Sequence, residues 1–394
     1  MKNIAKKILT IFVLWRVLTL VLAFIGSYIL PLKLTFTAYT QEFGKHLPYF
    51  VWIWGNFDGY HYMKVAQQGY TPARLPFFPF YPLLIRFTHI LTHAPYLLSG
   101  LFISHLTFII SLFVLYQLLK IDKKEKLWVY FFLTLILFPT SYSYGAVYND
   151  SLFIFLASLT LLFGRKKHWL LATITGVLST LTRLNGLALC FFVLAEYLFP
   201  DDEIYQKSFS LKKFNALIKQ RSNLRTLLES KIIITLLIPL TYFGYLQYIQ
   251  MTFGNWRYIY KAMEVWRQNV PTIPIQVFWR YIKILVLYQH KDIIYLVALI
   301  ELFFVLFYIA VIIYSFKKIR FSYWLYLAVS IIIPATTGTF AGMPRYGLHL
   351  YPLFLAIAIF LSKSNNLVRI IYIVASIILM LAVVTLYTRG YFIA

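Results

Sequence analysis

The chain has 394 residues, 61% of them hydrophobic, 20% aromatic and only 13% charged. Its mean hydropathy of +0.73 and its apolar share exceed the roughly 45–50% of a soluble domain and exclude an ordinary soluble enzyme. The net charge of +24 would suit a nucleic-acid partner, but Lys and Arg sit in short clusters between apolar runs, as in the loops of a polytopic membrane protein, and no nucleic acid is implied.

Met1 to Lys7 and the apolar run after it have the look of a signal peptide. The run at 8–30 is long enough to span, however, and lacks a small-residue cleavage site, so it reads as a retained signal anchor. Further apolar runs lie at about 97–119, 127–141, 150–164, 168–182, 186–199, 231–251, 292–316, 321–337, 348–362 and 367–387. They predict an all-α polytopic bundle of about 11 transmembrane helices, with a range of 9–12, forming a single domain over 1–394. The lone cysteine, Cys190, lies inside an apolar run and rules out a disulfide framework or a cysteine metal cluster.

Lys2, Lys6 and Lys7 place the N-terminus in the cytoplasm. Alternation then puts the basic stretches 120–126, 165–167, 200–231, 317–320 and 363–369 on the same side, and these hold most of the 37 lysines and arginines. Two large loops, 31–96 and 252–291, fall on the outer face of the cell membrane. Both carry aromatics at amphipathic spacing; in the second, Trp256, Tyr260, Trp266, Trp279 and Tyr281 alternate with Arg257, Lys261, Arg267, Arg280 and Lys283. That composition predicts interfacial helices. The segment 200–231 opens on Asp201-Asp202-Glu203, a solvated loop start, and continues as a basic amphipathic stretch suited to the inner leaflet.

The least membrane-like stretch of the N-terminal third is NFDGYHYMKVAQQGYTPARLPFFPFYP, residues 56–82. Asp58 and His61 are three apart and would share a helix face. Gly59 permits close approach beside the acid. The prolines at 72, 76, 79 and 82 hold the following chain in turns and extended pieces. Three further polar groups stand at the outer ends of predicted spans: Asn149 and Asp150 in FPTSYSYGAVYNDSLF, Arg183 and Asn185 in LTRLNGL, and Arg345, Tyr346 and His349 in MPRYGLHLYP. Each has a plainer reading: Asp150 as a helix cap, Arg183 as a cation snorkelling to headgroups, Arg345 as an interfacial anchor, His349 as a satisfied buried imidazole. Their convergence on one side at similar depth is the stronger signal, because ionisable groups there are costly and usually functional.

No Walker A, GxGxxG, HExxH or GxSxG pattern occurs. One outstanding acid among cations suits transfer from a lipid-linked phosphate: a carboxylate takes the acceptor hydroxyl proton, and guanidinium groups hold the departing phosphate. A glycoside hydrolase would want two facing carboxylates. No cofactor is evident; a divalent metal stays open, with no ligand cluster in the sequence.

At these residues the chain resembles the GT-C superfamily of polytopic glycosyltransferases, and most closely bacterial relatives of the PIG-V family, the second mannosyltransferase of GPI-anchor synthesis. The matching elements are Phe57-Asp58, Tyr62 to Tyr70, Phe77-Phe78-Pro79-Phe80-Tyr81-Pro82, Ala146-Val147-Tyr148-Asn149-Asp150-Ser151, Arg183-Leu184-Asn185-Gly186-Leu187, and Arg345-Tyr346 with Pro352-Leu353-Phe354-Leu355. Phe57 stands where the family usually has Trp, and Asp150 where Glu is common, which leaves the acceptor open. The resemblance implies a GT-C-like bundle and an inverting hexosyl transfer, mannose first, from a polyprenyl-phosphate donor to a glycan, lipid or protein acceptor. It implies Asp58 as general base. Arg345 and then Arg183 are the candidates for the donor phosphate, with His61, Asp150 and Asn185 orienting sugar or acceptor hydroxyls. The alternatives are a lipid-linked glycan flippase, which would need polar groups along a path through the membrane where Glu301 stands nearly alone, and a polymerase or ligase using an oligosaccharide-lipid donor.

Overall fold

The computed structural model describes residues 2–33, 43, 46–199, 231–288 and 293–391. The segment 200–231, with its acidic triplet, lies outside the described residues apart from the backbone of Lys231. In chain order the helices are α1 (Lys2–Ile29), α2 (Tyr49–Trp52), α3 (Asp58–Gln68), α4 (Phe80–Thr92), α5 (Tyr96–Ile121), α6 (Trp128–Ile136), α7 (Asp150–Arg165), α8 (Trp169–Thr180) and α9 (Ala188–Leu198). They continue with α10 (Leu237–Phe253), α11 (Tyr258–Met263), α12 (Pro274–Leu287), α13 (Ile293–Ser315), α14 (Phe321–Ala335), α15 (Met343–Tyr346), α16 (Tyr351–Lys363) and α17 (Asn366–Thr388). No strand occurs among the described residues.

Among the described residues, five stretches are long and apolar enough to cross a membrane: Ile4–Ile29, Tyr96–Ile121, Ile232–Phe253, Tyr295–Ser315 and Asn366–Thr388. A sixth is counted if Met343–His349 and Tyr351–Lys363 are one span, but these meet at 87°. The protein is therefore an integral membrane protein. Eleven full-length spans are not seen among the described residues. The runs at 127–141, 150–164, 168–182, 186–199, 321–337 and 348–362 fold as helices of 9 to 16 residues, short of the roughly 20 that a span needs. The reason lies between them: the polar stretches around 138–150, 181–187 and 338–350 leave the helical path and turn into the protein interior. Irregular backbone at such depth is tolerated where protein or a cavity surrounds it.

α5 packs along α7, α7 along α8, and α9 along α14, while α1 lies against α17. The two large loops, 31–96 and 252–291, contain helices that expose apolar side chains. α4 exposes Leu83, Phe87, Ile90 and Leu91, and α12 exposes Ile275, Trp279, Val286 and Leu287. Pro82 falls in the first turn of α4, where its missing N–H costs nothing, so the proline-rich stretch yields to a helix earlier than its composition predicts.

The ends of α5, α7 and α9 opposite the predicted site are tied by a second polar cluster. Arg165 donates to Asp122 Oδ1 at 3.0 Å and to Glu196 Oε1 at 2.7 Å. Glu196 also accepts from Arg320 at 3.2 Å and from Ser322 at 2.6 Å, and Tyr351 donates to Asp122 at 2.8 Å. With its charges paired and hydrogen-bonded, this cluster fixes the register of five helices.

Candidate active site

Asp58 is the first residue of α3. The residue before it, Phe57, takes φ 55° and ψ −115°, a conformation that costs a non-glycine residue on the order of 1–3 kcal/mol and marks a position held by its surroundings. The holding contacts are visible. Val147 N donates to Trp54 O at 2.8 Å, and Asn56 Nδ2 donates to Tyr387 O at 3.1 Å. At Gly59, a Cβ would lie 3.3 Å from Val147 O, a tight contact that the glycine avoids as the start of α3 packs against the Ala146–Asp150 stretch. That approach carries Asp58 to Tyr148 and Asp150, which lie far away in sequence.

The arginines come from two other breaks. Arg345, in the single turn of α15, donates through Nη2 to Asp58 Oδ2 at 2.8 Å and stacks 4.6 Å from the Tyr148 ring centroid. Arg183 precedes the tight turn Leu184–Leu187. There a Cβ on Gly186 would overlap the Thr180 backbone nitrogen, which explains the glycine. Arg183 Nη1 donates to Asp150 Oδ1 at 2.5 Å, and its guanidinium lies 4.7 Å from the Tyr346 ring centroid. His349 Nε2 donates to the same Asp150 oxygen at 2.7 Å.

Asp150 is fully buried, and its side chain makes these two bonds without capping α7. Arg183 lies on Asp150 and is no headgroup snorkel. The predicted residues thus meet as a pair, Asp58 with Arg345, and a neighbouring triad, Asp150 with Arg183 and His349. Asn149 and Asn185 support the frame by donating to Thr182 O at 2.7 Å and Ser330 O at 3.1 Å.

A cavity of about 310 Å³ opens over these groups. Asp58, Asn149, Arg183, Asn185, Arg345 and Tyr346 line it, and His349 lies beneath. Arg345 Nε and Nη1 and Asp150 Oδ2 are buried and have no protein partner among the described residues. Buried polar atoms of this kind are uncommon and mark sites where charge is handled.

His61 stands apart from Asp150. It shares α3 with Asp58, one turn on, stacks on Phe77 at 4.7 Å and meets the edge of Trp266. Burial lowers its imidazole below the ordinary value, with Asp58 opposing and Arg74 adding to the effect. Tyr62 also lines the cavity; burial raises its phenol well above the ordinary value, so it stays a neutral hydroxyl.

Several lining residues escape the sequence reading. Tyr62 sits four residues after Asp58, on the same helix face, which was the available signal. Tyr260, Met263, Trp266 and Gln268 of the second outer loop close the cavity from above. Their aromatic pattern pointed only to an interface. Among the described residues no group of three or more His, Cys, Asp or Glu could hold a metal ion, and both site carboxylates are already engaged by arginines.

The fold and site define a helical integral membrane protein with a largely apolar cavity that holds two arginines and a carboxylate at the meeting point of broken helices. No family model matches the chain, and no curated protein matches it. Among solved structures, it is similar to the oligosaccharyltransferase of Archaeoglobus fulgidus tethered through a disulfide to an acceptor peptide containing the NVT sequon. The identity is 13% and the TM-score 0.47, over 98% of this chain and 55% of that one. The apo form of that protein gives 13% and 0.46, over 98% and 56%. Archaeal oligosaccharyltransferase AglB from the same organism, in complex with an inhibitory peptide and a dolichol-phosphate, gives 14% and 0.45, again over 98% and 56%. The chain spans little more than half the length of these proteins.

Proposed function

We propose that the protein is an inverting glycosyltransferase that moves a hexose, mannose first among the candidates, from a polyprenyl-phosphate donor to a hydroxyl acceptor on the outer face of the cell membrane. The observation that carries this reading is a carboxylate at the mouth of a cavity whose floor holds two arginines: Arg345 Nη2 lies 2.8 Å from Asp58 Oδ2, and Arg183 lines the same space.

Asp58, with 22% of its side chain exposed, is the general base. The acceptor oxygen attacks the anomeric carbon as Asp58 takes its proton. The bond from that carbon to the phosphate oxygen breaks, and the polyprenyl phosphate leaves with the electron pair. A phosphate leaves without needing a proton, so one carboxylate suffices.

The two arginines divide the remaining work. Arg345 spends one N–H on Asp58 and turns Nε and Nη1 into the protein, so its role is to aim the carboxylate. Arg183, fixed by Asp150, presents guanidinium to the cavity and is the first choice for the phosphate, ahead of Arg345. Asn149, Asn185 and Tyr346 face the sugar. His349 positions Asp150 and touches no substrate.

The test is transfer by purified protein in lipid, offered labelled polyprenyl-phosphate mannose, glucose or arabinose with a membrane extract as acceptor. Label moving from the mannose donor to a new product is the expected result. No transfer from any donor, together with translocation of a fluorescent lipid-linked sugar in proteoliposomes, overturns the reading in favour of a flippase.

A further inference from the structure

A second cavity, of about 540 Å³, meets the first at Asp58 and Trp266, the two residues they share. It lies between the turn at 72–74 and α11, over the start of α3, and its lining includes Phe57, His61, Tyr258 and Lys261. The two cavities differ in chemistry. The first offers Asn149, Asn185, Gln268, Thr336 and Thr337 beside its arginines, a set suited to sugar hydroxyls and a phosphate. Among the described residues, the second has no amide, serine or threonine in its lining. Its walls are aromatic and apolar, and its polar complement beyond Asp58 and His61 is Tyr258 and the ammonium of Lys261. Arg74, on the turn that forms one wall, is close enough to push on the His61 charge.

Resting on the transfer reading above, we propose that this second cavity is the acceptor subsite, and that the acceptor is a membrane lipid headgroup with a phosphodiester beside its reacting hydroxyl. The hydroxyl lies against Asp58. Lys261, a flexible point charge at the cavity's edge, holds the phosphodiester. Trp266 and Phe57 cover the carbon skeleton, and the open apolar side receives the glyceride. A neutral glycan would leave the Lys261 charge unmatched and would meet mainly apolar and aromatic described walls, so specificity follows from charge.

The experiment measures binding of radiolabelled phosphatidylglycerol to the full chain in phosphatidylcholine nanodiscs, for wild type, Lys261→Ala and Lys261→Arg. Neutral diglucosyl diacylglycerol and water-soluble glycerophosphoglycerol are the comparison probes. Wild type binds phosphatidylglycerol. Lys261→Ala weakens it on the order of tenfold, the size of one charge-assisted hydrogen bond, and Lys261→Arg restores most of it. Equal binding by Lys261→Ala, or neutral lipid held as tightly, overturns the proposal. Tight binding of glycerophosphoglycerol with none of the lipid overturns the membrane source. Binding needs no turnover, so these failures leave the transfer reading standing. Lys261-dependent binding without transfer from any donor refutes that reading alone.

Discussion

Asp150 and Arg183 offer the sharpest energetic prediction. Asp150 is fully buried and accepts from Arg183 at 2.5 Å and His349 at 2.7 Å, while the Arg183 side chain is 11% exposed. Removing one partner of such a pair leaves an uncompensated charge, at a cost of about 3–5 kcal/mol. Asp150→Asn is therefore expected to destabilise by about that amount, and Arg183→Gln by a similar amount. Removing both charges leaves no orphan, so the double variant costs little more than either single one, with a coupling of about 3 kcal/mol or more. Detergent-titrated unfolding in mixed micelles, followed by intrinsic fluorescence, measures all four proteins. Additive losses would refute the claim that these residues form one buried ion pair.

Other outcomes follow from the same geometry. Arg183→Lys, which keeps charge but loses the planar fork, should raise the KM for the lipid-phosphate donor, whereas Arg345→Gln should lower kcat with little change in donor KM; steady-state kinetics with the reverse pattern would exchange their roles. Burial depresses the His61 imidazole, so the unfolded chain takes up that proton first and stability is lost as pH falls below about 6.5. His61→Gln should show a smaller fall in Tm between pH 7.5 and 5.5 than wild type, and an equal fall would contradict the assignment. Gly186→Ala drives a methyl group into the Thr180 backbone; it should cut both the yield of folded protein and donor binding, and normal values for both would refute that packing.

How much of this was readable in the sequence depends on what each residue had to stand out against. Asp58, Asp150, Arg183 and Arg345 were legible because a charge in a largely apolar chain has few ordinary uses. Their pairing was not legible. It depends on Val147 fitting against Gly59 and on a reversal at Gly186, which are contacts between distant segments. Trp266 and Lys261 lay hidden in a loop whose composition an interfacial helix explains equally well. The span count goes astray for a related reason: an apolar run of 14 to 17 residues has the same composition whether it crosses a bilayer or ends inside a bundle at a polar break. The 87° bend between Met343–His349 and Tyr351–Lys363 carries Arg345 and His349, so the feature that defeated the span count is the one that builds the site.

The proposed transfer turns on Asp58 taking the acceptor proton. The most direct measurement is single-turnover transfer from saturating labelled polyprenyl-phosphate mannose by wild type and Asp58→Asn, with donor binding and thermal unfolding recorded on the same samples. The account predicts transfer by wild type and a loss of about 10²–10⁴-fold in the variant, with the donor still bound and the fold intact. Undiminished transfer by folded Asp58→Asn would contradict it.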